Sequence, residues 1–207
     1  MKEKEIRLDE KDRIARSTTR DCYLHPDNPD RVIKIMRNLP GASKRNANDQ
    51  EWRSYQYLRK RFGRQDFFVD CHGFVETTLG RGLVFDCVRD FDGKVSRSLL
   101  DILTDPEYDL SRVEEALGRF CRALIEKEIP LFDLNLLNIL IRVAHDGEYH
   151  PVSIDVKSKF NNYEIIPLSS YIPFFARRKV RRRCGRLMEK IGSYSAAAAA
   201  DREKMNG

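Results

Sequence analysis

The sequence predicts an α+β protein in two lobes, with a β-rich N-terminal part followed by a smaller, mostly helical C-terminal part. Short runs of β-branched and aromatic residues, interrupted by turn-forming residues, dominate the first 88 positions. The clearest helical pattern of the chain begins near residue 111, and two further strand candidates follow it. With 207 residues, 41% of them hydrophobic, the chain has enough apolar side chains for a sizeable core.

The N-terminal part contains most of the predicted strands. Its apolar runs predict strands over Ile6 to Leu8, Arg13 to Ser17, Asp21 to His25, Arg31 to Arg37, Phe67 to Cys71 and Gly82 to Val88. The segment HPDNPD at 25–30 is rich in proline, asparagine and aspartate, and it predicts a hairpin turn. After a polar connector, Trp52, Tyr55 and Leu58 recur at helical spacing, which predicts an amphipathic helix over Asp49 to Arg61.

The C-terminal part begins with a predicted core helix. Ser111 and Glu114 have the spacing of a capping box, and the apolar residues that follow recur on one helical face: Val113, Leu117, Phe120, Leu124 and Ile125. The loop PLFDLNLLN comes next, and strands are expected over Ile139 to Val143 and Val152 to Val156. A turn around Asp146 and Gly147 would join these two strands into a hairpin.

Three regions are therefore expected along the chain. Residues 1–88 form a β-rich N-lobe, and residues 89–194 form a reduced C-lobe with the hairpin and a basic C-terminal helix. The last segment, SAAAAADREKMNG at 195–207, is low in complexity, and we expect a flexible tail there.

Several classes of protein are disfavoured by composition. The five cysteines are odd in number and contain no CxxC pair, which argues against a disulfide framework and against a zinc finger. The N-terminal segment MKEKEIRLDEKDRIAR is charged where a signal peptide needs an apolar region, and no run of apolar residues is long enough to span a membrane. These signals predict a cytoplasmic protein with reduced thiols.

The net charge of +6 is concentrated in one segment. Eight basic residues lie between Ala176 and Lys190 against the single acidic residue Glu189, which gives +7 there and leaves about −1 for the rest of the chain. The basic residues are Arg177, Arg178, Lys179, Arg181, Arg182, Arg183, Arg186 and Lys190. A near-neutral body with one basic segment differs from a uniformly basic nucleic-acid-binding protein.

Five polar residues stand at the ends or centres of predicted elements. Lys34 lies within the strand VIKI, and Glu51 follows seventeen residues later on a helix. Asp133 and Asn138 begin and end DLNLLN, and Asp155 lies near the end of the strand SIDVK. Transfer of a phosphoryl group to a hydroxyl needs a carboxylate to accept the proton, and Mg²⁺ needs oxygen ligands beside the phosphates.

The order of these elements resembles the protein-kinase-like fold. VIKI is similar to the V-A-I-K strand, DLNLLN to D-L-x-x-x-N of the catalytic loop, and SIDVK takes the place of the D-F-G strand end. The resemblance implies that ATP lies between the lobes, near the backbone of Val84 to Val88 or the linker after it. It implies the following roles: Lys34 on the ATP phosphates, Glu51 pairing with Lys34, Asp133 as catalytic base, and Asn138 and Asp155 as Mg²⁺ ligands.

More closely, the chain resembles the YrbL family, small bacterial kinase-like proteins linked by name to the PhoP regulatory network. The matching pieces are RDCYLHPDNPDRVIKI at 20–35, EWRSYQYLRKR at 51–61 and IPLSSYIPFFARRKVRRR at 166–183. The resemblance covers nearly all of residues 5 to 190. It implies a kinase-like fold and a regulatory role, and it implies no particular substrate.

The sequence departs from the kinase pattern at several places. Leu131 and Phe132 replace the histidine and arginine that usually precede the catalytic aspartate, and Lys157 replaces the glycine of D-F-G. No glycine-rich loop is present, so phosphate contacts in the first turn, Arg16 to Arg20, would fall to the hydroxyls of Ser17, Thr18 and Thr19 and to the two arginines. No A-P-E motif follows Asp155, which favours a small or lipid-linked hydroxyl acceptor over a protein substrate. A pseudokinase that binds nucleotide or partners without transferring phosphate is the main alternative.

Each of these residues also has a purely structural interpretation. Lys34 on a strand edge would be a surface lysine, and Glu51 would lie on a solvated helix end. Aspartate and asparagine, as at 133 and 138, are common in turns for local hydrogen-bonding reasons.

The basic helix is either a solvated helix face or a surface that binds an anionic membrane. The candidates for membrane contact are Arg177, Arg178, Lys179, Arg181, Arg182 and Arg183. Nucleic acid is the less favoured partner. Attachment to the inner membrane surface therefore stays open beside a cytoplasmic location.

Overall fold

The computed structural model describes residues 5–37, 46–158 and 173–205, with side chains from 174 to 197 in the last segment. Its N-terminal part is a five-stranded antiparallel sheet in the order β1-β2-β3-β5-β4. The strands are β1 (Arg13–Arg16), β2 (Arg20–Leu24), β3 (Arg31–Met36), β4 (Cys71–Thr77) and β5 (Gly80–Asp86). Helix α1 (Ala47–Phe62) packs against β3, β4 and β5.

Alternation along β3 separates two apolar layers. Ile33 and Ile35 point to one face, where they form a small cluster with Leu8, Tyr23 and Val84. Val32 points to the opposite face, which belongs to the main core of the molecule. Lys34 has the same parity as Val32, so its side chain also lies on the main-core side of the sheet.

Helix α1 has clear signals at both ends. The Asn46 side chain accepts hydrogen bonds from the backbone N–H groups of Asn48 and Asp49 at 2.9 and 3.3 Å, which makes Asn46 the N-cap. At the other end Gly63 has a positive φ of 70°, a conformation that glycine adopts without steric cost. The buried face of α1 includes Glu51, Tyr55 and Leu58, so a carboxylate lies among apolar side chains there.

The C-terminal part combines a small sheet with two long helices. The antiparallel sheet β6-β7-β8 consists of β6 (Arg97–Ser98), β7 (Ile139–Val143) and β8 (Tyr149–Ser153). The long helices are α3 (Leu110–Glu126) and α4 (Pro173–Met205), and a short helix, α2 (Leu99–Leu103), follows β6 directly. Helix α3 packs against both β8 and α4, and its buried residues include Val113, Leu117 and Leu124.

The two parts share one core and are joined by backbone hydrogen bonds. The N–H of Val69 donates to the carbonyl of Ser153 at 3.1 Å, and the N–H of Ser153 donates to the carbonyl of Phe67 at 2.9 Å. The main hydrophobic cluster runs from Val32 and Phe85 in the first sheet to Leu117 and Ile191 in the helices. The segment that leads into β4 is therefore held directly against the end of β8, where Asp155 follows.

The predicted α+β architecture is confirmed, whereas three predicted strands are corrected. Ile6 to Leu8 is not a strand, because Ile6 forms only an isolated bridge with Thr77. The strand predicted over Phe67 to Cys71 instead begins at Cys71 and continues to Thr77. The last predicted strand ends at Ser153, so Asp155 lies in a bend two residues beyond it. The pair β6 and α2 was not predicted, since both elements are very short.

The predicted cap of α3 is also wrong. Asp109 is the N-cap, and its side chain accepts from the N–H groups of Ser111 and Arg112 at 3.0 and 3.4 Å. The Ser111 hydroxyl donates to Asp109 Oδ1 at 2.6 Å, so Ser111 supports the cap and does not form it. Both residues are favoured at helix N-termini, and the sequence alone did not distinguish them.

The apolar face of α4 lies where the helical spacing predicts. Val180, Cys184, Leu187 and Ile191 are buried against the body of the protein, and Met188 packs beside them. The helix continues through Met205. In the part of the chain that the structure describes, no helix is both long and apolar enough to cross a membrane.

Candidate functional site

Lys34 and Glu51 form a buried ion pair at the centre of the molecule. Lys34 Nζ donates to Glu51 Oε1 at 2.8 Å and to the backbone carbonyl of Ile154 at 2.6 Å. The two residues are only 8% and 1% exposed, respectively, and β3 is an interior strand of its sheet. The Lys34 ammonium also lies 4.2 Å from the centre of the Phe85 ring. The surface interpretations of Lys34 and Glu51 are therefore wrong.

Glu51 connects four parts of the chain. Besides Lys34, its Oε1 accepts from the N–H of Val156 at 2.9 Å, and its Oε2 accepts from the guanidinium of Arg20. Arg20 comes from the start of β2 and Val156 from the segment after β8. One buried carboxylate thus holds strand β2, strand β3 and the segment around Asp155 against helix α1.

Asp155 lies next to this pair and is 8% exposed. Its Oδ2 forms ion pairs with Lys157 Nζ at 2.7 Å and with Arg20 at 3.4 Å. Its Oδ1 is buried and has no hydrogen-bond partner among the described residues. Burial opposes ionisation of this carboxyl, but Arg20, Lys34 and Lys157 outweigh burial and hold the pKa of Asp155 below its ordinary value.

Asp133 is joined to Asp155 through Lys157. The Lys157 ammonium contacts Asp133 Oδ2 as well as Asp155 Oδ2, so it bridges the two carboxylates. Burial alone would lower the pKa of Lys157, but the two carboxylates raise it, which keeps the ammonium charged. The other oxygen of Asp133 accepts from Asn135 Nδ2 at 2.8 Å. Both oxygens of the predicted base are therefore engaged.

Asn138 is placed beside Asp155 by backbone contacts. Its N–H donates to Asn135, to the carbonyl at 3.1 Å and to Oδ1 at 3.0 Å, which forms the turn that leads into β7. Its own carbonyl accepts from the N–H of Ile154 at 2.9 Å. The turn interpretation is thus correct for Asn138, with Asn135 as the acceptor in the turn, and the same turn brings Asn138 to the end of β8.

The turn between β1 and β2 lies at the edge of the site. Ser17, Thr18 and Thr19 are exposed, as a phosphate-binding turn would have to be. The Ser17 hydroxyl is used within the turn, where it accepts from the Arg20 N–H at 3.1 Å and donates to the Arg20 carbonyl at 3.0 Å. Arg20 itself, directly after the turn, is the residue that reaches Glu51 and Asp155.

The residues present fit a magnesium–nucleotide site. Within the described residues, no group of three or more His, Cys, Asp and Glu side chains could hold a metal ion. Mg²⁺ in nucleotide sites takes only one or two protein carboxylates and completes its shell with phosphate and water oxygens. Asp155 Oδ1, a buried carboxylate oxygen with no described partner, is the group that such an ion would satisfy.

The sequence predicts the ion pairs of neither Arg20 nor Lys157. Arg20 is expected from the sequence only as a phosphate contact in the turn, and Lys157 only as a replacement for a glycine. The signal for Lys157 was its position, two residues after Asp155 and in a segment with few other charges. Arg20 has no such signal, because its contacts with Glu51 and Asp155 join residues that lie far apart in the chain.

The buried lysine–glutamate pair beneath an antiparallel sheet, together with the two aspartates supplied by the loop and the hairpin, defines a protein-kinase-like protein. The model of the PhoP regulatory network protein YrbL family matches residues 6–192, and the chain belongs to that family. YrbL of Escherichia coli (strain K12) and YrbL of Shigella flexneri are each 30% identical to it over 179 residues. Each alignment covers 86% of this chain and 83% of the relative.

A solved structure with partial similarity is a chain of the CAK complex from Chaetomium thermophilum bound to ATP-γ-S. It has a TM-score of 0.49 and 19% identity, and the alignment covers 70% of this chain and 46% of that one. The present chain therefore spans about half the length of that relative. The kinase-like character of the site is carried by the residues described above and not by this alignment.

Proposed function

We propose that the protein binds ATP with Mg²⁺ at the junction of its two lobes and transfers the terminal phosphoryl group to a small or lipid-linked hydroxyl acceptor. The observation that carries the proposal is the buried pair of Lys34 and Glu51 beside Asp155 Oδ1, a buried oxygen that no described residue hydrogen-bonds. A lysine held this way presents a fixed positive charge for phosphate oxygens, and the carboxylate oxygen of Asp155 suits a hard cation.

Each residue has a defined task in this reaction. Mg²⁺, when bound by Asp155 and Asn138, supplies neutralising charge for the phosphates. Lys34 holds the α- and β-phosphates, and Glu51 keeps its ammonium in place. Asp133 accepts the proton of the acceptor hydroxyl as the new O–P bond forms and the bond between the γ-phosphorus and its bridging oxygen breaks, which releases ADP.

The adenine would lie against the linker after β5. The backbone of β5 is hydrogen-bonded on both sides, to β3 and to β4. Because its N–H and C=O groups are engaged within the sheet, Val84 and Phe85 offer little to adenine. The N–H of Cys87 is engaged as well, because it donates to the carbonyl of Asp30 at 2.8 Å. The contact expected from Val84 to Val88 is therefore proposed for Val88 and the linker after it.

A pseudokinase is the second candidate, and one observation favours it. Asp133 is engaged by Lys157 through one oxygen and by Asn135 through the other, so a substrate hydroxyl would have to compete with both partners for this carboxylate. A protein with this arrangement binds nucleotide and regulates a partner without transferring phosphate. The membership of the PhoP regulatory network protein family agrees with such a role.

Isothermal titration calorimetry with ATP and Mg²⁺ tests nucleotide binding. Asp155→Asn and Lys34→Met should each weaken binding at least tenfold, with circular dichroism as a check on folding. Lys94→Met is the matched control, because Lys94 pairs with Asp92 on the surface at 2.7 Å, and it should bind as the wild type does. Wild-type protein that takes up no ATP at millimolar concentrations would refute both nucleotide proposals.

ATP turnover separates the enzyme from the pseudokinase. Release of ADP should occur with the wild type in the presence of hydroxyl compounds and should be lost in Asp133→Asn, while this variant still binds ATP. Binding of ATP with no turnover across small polyols, sugars and lipid-linked sugars favours the pseudokinase.

We also propose that the exposed side of α4 binds an anionic membrane surface. Arg177 pairs with Glu128 at 2.7 Å, and Lys179 lies 4.2 Å from the centre of the Phe132 ring, so both contact the body of the protein. Arg178, Arg181 and Arg182 are exposed, and Phe174, one turn before Arg178, is 64% exposed. Arginines beside an exposed aromatic ring fit a headgroup layer better than a nucleic acid.

Vesicle flotation tests this surface. The protein should float with vesicles that contain 30% phosphatidylglycerol and should be released by salt, because the attraction is electrostatic. Replacement of Arg178, Arg181 and Arg182 by glutamine should abolish flotation, whereas Arg119→Gln on the exposed side of α3 should not. No flotation at low salt refutes the proposal.

A further inference from the structure

Lys157 lies between Asp133 and Asp155, and its backbone is hydrogen-bonded on both sides. Its N–H donates to the carbonyl of Asp155 at 3.0 Å, and its carbonyl accepts from the N–H of Phe132 at 2.9 Å. Its side chain is about one third exposed, and its ammonium contacts Asp133 Oδ2 and Asp155 Oδ2. Backbone bonds on both sides thus fix the direction from which the side chain enters the site.

The ammonium occupies the space between two carboxylates, one of which, Asp155, is the proposed metal ligand. Three cations (Lys34, Arg20 and Lys157) face three carboxylates (Glu51, Asp133 and Asp155), so the site is electrically balanced without a metal ion. A divalent cation that binds Asp155 must therefore compete with a charge that is covalently attached to the protein and always present.

We propose that Lys157 is a built-in cation that competes with divalent metal ions for Asp155, so that metal binding requires its ammonium to leave Asp155 and the neighbouring Asp133. The proposal rests on the proposed function only for the assignment of Asp155 as a metal ligand. Lys157 is then a regulatory residue of the site. In the metal-free protein its ammonium contacts Asp133, and metal binding breaks that contact.

The competition predicts a gain of metal affinity when the ammonium is removed. Lys157→Met keeps an unbranched side chain, one atom shorter, and removes its charge, which leaves Asp133 and Asp155 close together without a shared counter-ion. The variant should bind Mn²⁺, used as a probe for Mg²⁺, at least tenfold more tightly than the wild type does. Lys157→Arg keeps the positive charge and should remain within threefold of the wild type.

The measurement is electron paramagnetic resonance of free Mn²⁺ titrated with the full-length protein without nucleotide. Lys94→Met is the matched control, because it removes a lysine from a single exposed carboxylate, and it should not change the affinity. In Lys157→Met/Asp155→Asn, the gain should disappear. An affinity of Lys157→Met equal to that of the wild type would overturn the proposal.

A second measurement uses the wild-type protein and is independent of whether Lys157→Met folds. The Nζ resonance of Lys157, assigned in ¹⁵N spectra by its absence from Lys157→Arg, should shift as Mg²⁺ is added, because its carboxylate partners are lost. A resonance that stays unchanged while Mg²⁺ binds at Asp155 contradicts the competition. Because neither measurement contains ATP, failure of nucleotide binding leaves this inference standing, and failure of the inference leaves nucleotide binding untouched.

Discussion

Lys34 of β3 and Glu51 of α1 are joined by a 2.8 Å hydrogen-bonded ion pair that is almost completely removed from solvent. Glu51 also holds Arg20 and the N–H of Val156, so it is the only counter-charge within the described residues that contacts both Lys34 and Arg20. Loss of one member of a buried pair leaves an uncompensated charge in a poorly solvated place.

Glu51→Gln should therefore be strongly destabilising. We expect a loss of about 3 kcal/mol in the free energy of unfolding, measured by urea denaturation, because buried Lys34 loses its carboxylate partner and Arg20 keeps only Asp155. Glu115→Gln is the control: Glu115 pairs with Arg119 on the exposed side of α3 at 2.8 Å. Its loss should cost less than about 0.5 kcal/mol. Equal effects of the two substitutions would contradict the central role of Glu51.

Gly82 in β5 has no space for a side chain. A Cβ at this position would lie 2.4 Å from Ile33 Cγ2 and 2.8 Å from Ile35 Cδ1, two side chains of the small cluster on β3. Gly82→Ala should cost about 2 kcal/mol through overpacking. Gly185→Ala in α4, where nothing lies within 4 Å, should instead stabilise the protein by about 0.5 to 1 kcal/mol. Thermal unfolding of both variants measures the contrast, and a stable Gly82→Ala protein would show that β3 and β5 separate easily.

The cap of α3 can be assigned by paired substitutions. Asp109→Ala removes the acceptor for two backbone N–H groups, whereas Ser111→Ala removes only a hydroxyl that supports that acceptor. The melting temperature should fall more in Asp109→Ala than in Ser111→Ala, as measured by differential scanning calorimetry. The opposite order would restore Ser111 as the N-cap.

Buried thiols predict a fall in stability at high pH. Burial raises the pKa of Cys71 to about 12 and that of Cys22 to about 11, above the ordinary value of 9.0. The folded protein therefore favours the neutral thiol: this contribution to stability is complete below pH 9 and is lost as the pH rises toward the folded-state values. Urea denaturation between pH 8 and 10.5 should show the decline.

The decline should be smaller in Cys71→Ala than in the wild type. Native protein at pH 8 should also react slowly with Ellman's reagent at Cys71, since the reactive thiolate is scarce there. Rapid modification of Cys71 under native conditions would argue that this thiol is neither buried nor protonated.

Much of the fold was accessible from local patterns. The strands β3 and β7 and the helix α1 were predicted within two residues at each end, because their apolar residues recur with the period of the element they form. Elements with few signals in their own sequence were missed, as β6 and α2 were, or were predicted at the wrong position. The strand β4 begins four residues later than expected, since its limits depend on pairing with β5.

For the site, the sequence by itself determined which residues were candidates: Lys34, Glu51, Asp133, Asn138 and Asp155 follow from motif and spacing. Only the tertiary structure decided their partners. Lys34 donates to the carbonyl of Ile154, 120 positions later in the sequence. The Lys157 ammonium forms ion pairs with both Asp133 and Asp155. A motif sets the position of a residue in the chain, whereas the ion pairs of its side chain depend on packing between distant segments. In this site, that packing places Lys157 between Asp133 and Asp155.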